Sequence, residues 1–209
     1  MFKESIRLFL REKFINKPNR KKLKNKNPSI ISSNCNGGFI YHDLNLKFFS
    51  PTINLFFYPK DYIKFIANLE YYSKCELKSP PKEQEALCDY PIGYLGDLKI
   101  NFMHYNSFKE AKEKWIERIN RINYNNLFFI MTDRDGCTYQ DIEIFDKLPY
   151  HNKVIFTSKK YPEFKSSFFI KEFEMANEVG ILSSYKKMSI KRYLDDFDYI
   201  RFLNNGKEK

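Results

Sequence analysis

The stretch Leu127-Phe128-Phe129-Ile130-Met131, followed by Thr132-Asp133-Arg134-Asp135-Gly136, decides the fold. Five apolar residues in a row mark a strand buried on both faces. Strands of that kind lie in parallel sheets that helices cover on both sides. In such sheets ligands bind beyond the carboxyl ends of the strands. The polar loop that leaves this run is therefore the first place to look for chemistry.

The elements around it alternate. Upstream, Ser29–Ser33 reads as a first strand that runs into Ser32-Ser33-Asn34-Cys35-Asn36-Gly37-Gly38, and Gly38–Leu46 reads as a short helix. Residues 50–57 read as extended, with Pro51 at the start, where a missing N–H is tolerated. Asp61 is expected to cap a helix over Tyr62–Tyr72, and the proline-rich Ser79–Glu85 reads as a surface loop. Tyr90–Leu95 and Leu98–Met103 read as a hairpin turning at Gly96-Asp97. Ser107 is expected to cap Phe108–Ile122, with Glu110 completing a capping box. Downstream come a helix over Thr138–Leu148, strands over Lys153–Thr157 and Ser167–Lys171, and a helical tail over Ser189–Asn204. That order indicates an α/β fold with a mainly parallel sheet. It gathers Ser32–Gly38, His104–Asn106, Thr132–Thr138 and Thr157–Lys160 at one sheet edge.

The 209 residues suffice for one domain with a sizeable core, and 21 Phe and 15 Tyr can fill it. Cys35, Cys75, Cys88 and Cys137 lack C-x-x-C spacing, which points to reduced thiols rather than a zinc ribbon or a disulfide framework. Residues 6–14 are broken by Arg7, Arg11, Glu12 and Lys13, so they do not read as a signal peptide. No apolar run approaches the ~20 residues that span a bilayer. The expected location is the cytoplasm.

The net charge of +10 is unevenly placed. Residues 1–26 hold ten Lys and Arg against Glu4 and Glu12, a surplus of eight. The expected organisation is a basic arm over residues 1–27 and one α/β domain over 28–209. Phe2, Ile6, Phe9, Leu10 and Phe14 recur at steps of three and four, flanked by Lys3, Arg7, Arg11 and Lys13. Pro18-Asn19 is expected to end this helix, with Arg20–Lys26 running on exposed. The apolar stripe either packs on the domain or lies in the headgroup region of an anionic membrane. Nucleic acid is not expected as a partner, because the basic run lacks aromatic interleaving and no recognition motif follows.

Several residues can carry chemistry. In the Ser32–Gly38 turn, Asn34, Cys35, Asn36, Gly37 and Gly38 can cradle a phosphate through small residues and the unpaired N–H groups of the next helix. The turn lacks both the dinucleotide fingerprint and the P-loop ending, and also reads as a plain connection. Asp133 and Asp135 have the spacing to hold Mg²⁺ or Mn²⁺ beside a diphosphate, with Arg134 on a phosphate; the same residues suit an ordinary turn. His104 is the best-placed imidazole for general base work, with Asp133 as the other candidate. Cys35 as a nucleophile needs a nearby base, and only His42, His104 and His151 exist. Thr157 ends a strand at the same edge.

Ser33-Asn34-Cys35-x-Gly37-Gly38-Phe39-Ile40-Tyr41-x-Asp43-Leu44, Ser50–Leu55, Asp61–Phe65 and Tyr90-Pro91-Ile92-Gly93 together resemble a bacterial family of unknown function, numbered nineteen-nineteen. Its members are often labelled exopolysaccharide biosynthesis proteins. The resemblance runs from about Ile30 to about Leu203, through Trp115, the Thr132–Gly136 loop, Phe156-Thr157 and Tyr193-x-x-Asp196-Phe197-Asp198-Tyr199. The arm before Pro28 lies outside it. The resemblance implies a three-layer α/β/α domain and a place in surface-polysaccharide assembly, and brings no established catalytic residue. The leading expectation is a glycosyltransferase-like enzyme that takes a nucleotide-sugar donor and a lipid-linked glycan acceptor, with the basic arm on the inner membrane leaflet. The alternatives are a transferase of acyl or phosphate-containing groups and a non-enzymatic membrane scaffold.

Overall fold

The computed structural model describes residues 4–81 and 89–205. Phe2, Lys3, Cys88 and the Lys82–Glu85 part of the proline-rich loop lie outside the described residues. The strands are β1 (Ser29–Ser32), β2 (Leu77–Lys78), β3 (Ile92–Leu95), β4 (Leu98–Asn101), β5 (Leu127–Thr132), β6 (Lys153–Thr157) and β7 (Ser167–Phe169). The α-helices are α1 (Glu4–Arg11), α2 (Lys17–Lys22), α3 (Asn36–Leu44), α4 (Pro59–Ala67), α5 (Leu69–Lys74), α6 (Phe108–Ile119), α7 (Tyr139–Lys147) and α8 (Tyr199–Asn205).

Four strands form a parallel sheet in the order β1-β5-β6-β7, and β2-β3-β4 form a small antiparallel sheet. The apolar run is the second strand of the parallel sheet, with β1 and β6 on its two sides. Its side chains alternate between two cores. Phe128 and Ile130 meet Ile40, Tyr41 and Leu44 of α3 and Tyr199, Ile200 and Leu203 of α8. Phe129 and Met131 meet Tyr62, Phe65 and Ile66 of α4, Trp115 of α6 and Phe145 of α7. The structure is thus mixed α/β, with the expected parallel sheet and an added antiparallel one.

β1 is an edge strand, and its N–H groups find partners outside the sheet. Ile30 N–H donates to the Tyr41 hydroxyl at 2.9 Å, and Ser32 N–H donates to Thr52 Oγ1 at 2.9 Å. Side chains thereby cover an edge that would otherwise pair with another chain. Phe56 makes an antiparallel bridge with Asn101, and Phe57 N–H donates to the Ser33 carbonyl at 2.9 Å. The Leu55–Phe57 segment thus splices the small sheet to the end of β1.

The starts of α6 and α7 fall where expected. Ser107 accepts from Glu110 N–H, but Glu110 does not complete the expected capping box, since its Oε2 accepts from Asn106 N–H, and α6 ends at Ile119 rather than Ile122. Thr138 and Asp141 form a reciprocal capping box at α7. Three other helical expectations change. The helix at Tyr62 starts earlier, with Pro59 in its first turn, and breaks at Asn68 into α4 and α5. The tail forms a 3₁₀ turn over Tyr193–Asp196 before α8, because Arg192 is extended and its N–H is held by Asp195 Oδ2 at 2.6 Å. Pro18 does not end the first helix. Residues Glu12–Asn16 widen into a π-turn, closed by Lys17 N–H on the Glu12 carbonyl, and α2 continues to Lys22. Proline has no N–H to give to the carbonyl four residues back, and its ring crowds that turn; the wider turn makes room for both. Leu23 and Asn25 are then buried, so the segment after Arg20 is anchored rather than free.

The first helix turns its apolar stripe away from the domain, one of the two orientations that the sequence left open. Arg11 is 2% exposed, while Ile6, Phe9 and Phe14 are 46%, 64% and 58% exposed. Arg11 forks onto Asp195 at 2.6 and 2.9 Å and reaches Asp43 Oδ2 at 2.6 Å. Arg192 reaches the same Asp43 oxygen at 2.9 Å. Two guanidinium groups and two carboxylates thus balance in a buried cluster. Burial opposes the charge on Arg11, but hydrogen bonds and charges from Asp195 and Asp43 outweigh it and raise its pKa. Removing one partner of such a cluster leaves uncompensated buried charge. Arg11→Ala is expected to cost about 3–5 kcal/mol, read as a fall in urea unfolding midpoint. Unfolding at the wild-type midpoint would refute the anchoring role.

Candidate functional site

A cavity of about 390 Å³ lies beyond the carboxyl ends of β1 and β5. β1 delivers Asn34, Cys35 and Asn36, and β5 delivers Arg134 and Asp135. Met103 and His104 follow β4 and arrive because the Leu55–Phe57 splice sets the small sheet against β1. Phe39, Phe56 and the Gly180–Ser183 segment complete the wall. Three of the four loops expected at one edge therefore share one cavity. Thr157–Lys160 does not line it. Thr157 is buried, and its hydroxyl donates to the Lys159 carbonyl at 2.8 Å.

The Ser32–Gly38 turn is shorter than expected, because α3 already starts at Asn36. Asn34 fastens it: Nδ2 donates to Thr132 Oγ1 at 3.0 Å, and Oδ1 accepts from Asn36 N–H at 3.2 Å. Gly37 and Gly38 are buried inside the helix and do not line the cavity. A Cβ on Gly37 would come to 3.0 Å from the Ser32 Cβ and 3.3 Å from Ile30 Cγ2. Gly37 thus serves the close seating of α3 on β1 rather than the approach of a ligand. The cavity still meets the start of α3, where the helix dipole favours an anion.

Asp133 and Asp135 part company. Asp133 is buried, with Oδ2 accepting from Ser158 N–H and hydroxyl at 2.6 and 2.9 Å and Oδ1 accepting from Val179 N–H at 2.7 Å. It clamps the ends of β5 and β6 to the segment before Gly180. Burial pushes its carboxyl above the ordinary carboxylate value, and these hydrogen bonds work against that rise. Asp135 lines the cavity in a left-handed conformation, φ 61°, and its N–H donates to Glu178 Oε2 at 3.0 Å. Burial raises its carboxyl as well, with Arg134 pulling it down and Glu178 pushing it up. A Mg²⁺ or Mn²⁺ ion held by Asp133 and Asp135 together does not fit. The Asp133 oxygens are committed to three donors, and no cluster of three His, Cys, Asp or Glu side chains suited to a metal occurs among the described residues.

His104 is exposed at the cavity wall, and its backbone N–H donates to the Asn54 carbonyl at 3.3 Å. Cys35 faces the cavity with its Sγ 4.0 Å from the Leu55 carbonyl, and burial raises its thiol pKa. A raised pKa leaves less thiolate at neutral pH, the reverse of an activated nucleophile. Sequence reasoning missed Phe39, Phe56 and Gly180–Ser183. The usable signal was Gly180. A Cβ there would fall 2.5 Å from the Phe173 ring, so a larger residue would have to push that ring aside.

The thiols provide a check. Burial raises Cys35 and pushes Cys137 up to about 12. Carbamidomethylation of both is expected to be slower at neutral pH than that of an exposed thiol and to keep rising at pH values where an ordinary thiol has levelled off, followed by peptide mass spectrometry. Fast labelling of Cys35 at neutral pH would restore it as a nucleophile.

The comparisons with known proteins agree on kinship. An uncharacterized protein of Haemophilus influenzae (strain ATCC 51907 / DSM 11121 / KW20 / Rd) is 46% identical over 193 residues, covering 92% of this chain and 92% of that protein. The family described as "Domain of unknown function (DUF1919)" matches residues 6–204. The match takes in most of the basic segment, which the resemblance read from sequence had left out. With all but the extreme ends matched, the chain belongs to the DUF1919 family.

Proposed function

We propose that this protein is a glycosyltransferase-like enzyme of bacterial surface or exopolysaccharide biosynthesis that uses a nucleotide-activated sugar. One observation carries the reading: a single cavity at the carboxyl ends of parallel strands joins a helix N-terminus, an arginine, an imidazole and an apolar wall. The Arg134 guanidinium suits a diphosphate, and the dipole at the start of α3 favours the same charge. Phe39, Phe56, Met103 and Ile181 offer an apolar surface for a base or another flat group. His104 takes the proton of an acceptor hydroxyl as its oxygen attacks the anomeric carbon. The bond from that carbon to the diphosphate breaks, and the nucleoside diphosphate leaves with the electron pair. Arg134 stabilises the charge that develops on it. The link to polysaccharide assembly rests on the family resemblance.

The cavity wall is mostly apolar, and that favours a second reading, transfer of an acyl group from a thioester donor. A thermal-shift and ligand-observed NMR panel of nucleotide-sugars and acyl thioesters separates the two. The expected result is stabilisation by one class of nucleotide-sugar. Arg134→Ala should weaken that binding about tenfold or more, a loss of about 1.4 kcal/mol. His104→Ala should keep binding and lower turnover about 10²- to 10⁴-fold. Binding of acyl thioesters alone would move the assignment to acyl transfer, and a blank panel would sink both.

A further inference from the structure

The first helix is inverted relative to an ordinary surface helix. Its inward side carries Arg11, buried at 2% exposure on Asp43 and Asp195, and Arg7, whose guanidinium stacks over the Tyr185 ring at 4.8 Å. Its outward side carries Ile6, Phe9 and Phe14, all more than two-fifths exposed. Large apolar side chains grouped outward on one short helix mark an interaction surface rather than scattered surface residues. The balanced ion cluster holds Arg11 inward, so the helix cannot roll to hide that side without leaving the Arg11 guanidinium and the Asp195 carboxylate without each other.

The charge beside this surface names the occupant. Lys13, Lys17, Lys21, Lys22, Lys24 and Lys26 are exposed, and none is in an ion pair among the described residues. Glu12 is engaged by Arg20 at 2.6 Å and cannot balance six lysines. Lys13 lies between Phe9 and Phe14 in sequence, with its ammonium 5.3 Å from the Phe14 ring. A lysine within an apolar stripe suits an interface where the stem is buried and the ammonium reaches headgroups. A second copy of the chain would bring the same lysines against each other, which favours lipid over self-association.

We infer that the α1–α2 segment docks this protein on an anionic lipid surface, with Ile6, Phe9 and Phe14 entering the acyl boundary and the lysines on the headgroups. This goes beyond the transferase reading and does not depend on it. No helix among the described residues is long and apolar enough to cross a membrane, so the contact is a surface one. The docked helix is also close to the cavity. Arg7 stacks on Tyr185, Arg192 lies over both Tyr185 and Phe39, and Phe39 is in the cavity wall.

The test is co-sedimentation of the full chain with phosphatidylcholine vesicles, with and without about one-third phosphatidylglycerol. Binding is expected only with the anionic lipid, and it should weaken as salt rises. Phe9→Ser with Phe14→Ser is expected to lower partitioning about tenfold or more, since each ring loses its apolar burial in the bilayer. Both positions are exposed, so an unchanged melting temperature shows that the fold is kept. Lys13→Glu with Lys17→Glu should abolish binding in the same way. Equal binding to neutral vesicles, no binding to either, or full binding by the Phe9/Phe14 variant would overturn the proposal. A concentration-dependent dimer that the same variant dissolves, without vesicle binding, would assign the surface to a second copy instead.

Discussion

The buried cluster of Arg11, Asp43, Asp195 and Arg192 is the constraint on which the rest of this structure depends. It joins three segments far apart in sequence: the first helix, the helix after β1, and the 3₁₀ turn with the residue before it. Each carboxylate has at least one guanidinium within 2.9 Å, so the charges compensate where water is excluded. A buried ion cluster adds little net stability over an apolar core, yet it strongly penalises arrangements that leave a member unpaired. Here that penalty orients α1, seats α3 and explains why the C-terminal tail is not one helix.

The candidate site follows from a second set of anchors. Parallel strands bring the ends of β1 and β5 to one level, but the antiparallel sheet has no topological reason to share that level. The bridge of Phe56 with Asn101 and the hydrogen bond from Phe57 to Ser33 supply the reason. They carry His104 to Asn34 and Arg134. Asp133 does comparable work on the other side, holding Ser158 and Val179 with three hydrogen bonds. One of the two carboxylates read as metal candidates in sequence is a fastener in the fold. Its neighbour Asp135 is the one turned to the cavity.

The site and the proposed docking surface are linked by stacked arginine and aromatic side chains. Arg7, Tyr185, Arg192 and Phe39 form a continuous series from α1 to the cavity wall. The basic segment is thus built into the body of the molecule, and the family match over residues 6–204 includes it.

The sequence by itself determined what depends on neighbours within a few residues. The apolar run at Leu127–Met131 determined a strand with two covered faces, because no side chain in it tolerates water. Ser107 and Thr138 determined two helix starts, because a cap bonds only to the next turn. The gathering of Asn34, Arg134, Asp135 and His104 was legible from strand order and the rule of carboxyl ends. Only the tertiary structure decided the rest. The apolar stripe of the first helix left its orientation open between the domain and a membrane surface; two distant aspartates turned Arg11 inward and the stripe outward. Gly37 and Gly38 read as a phosphate turn until α3 closed down on β1. Asp133 read as a metal ligand until Ser158 and Val179 took its oxygens. In each case the deciding partner lies at least ten residues away or on another element, and local pattern carries no record of which distant group will meet a buried charge.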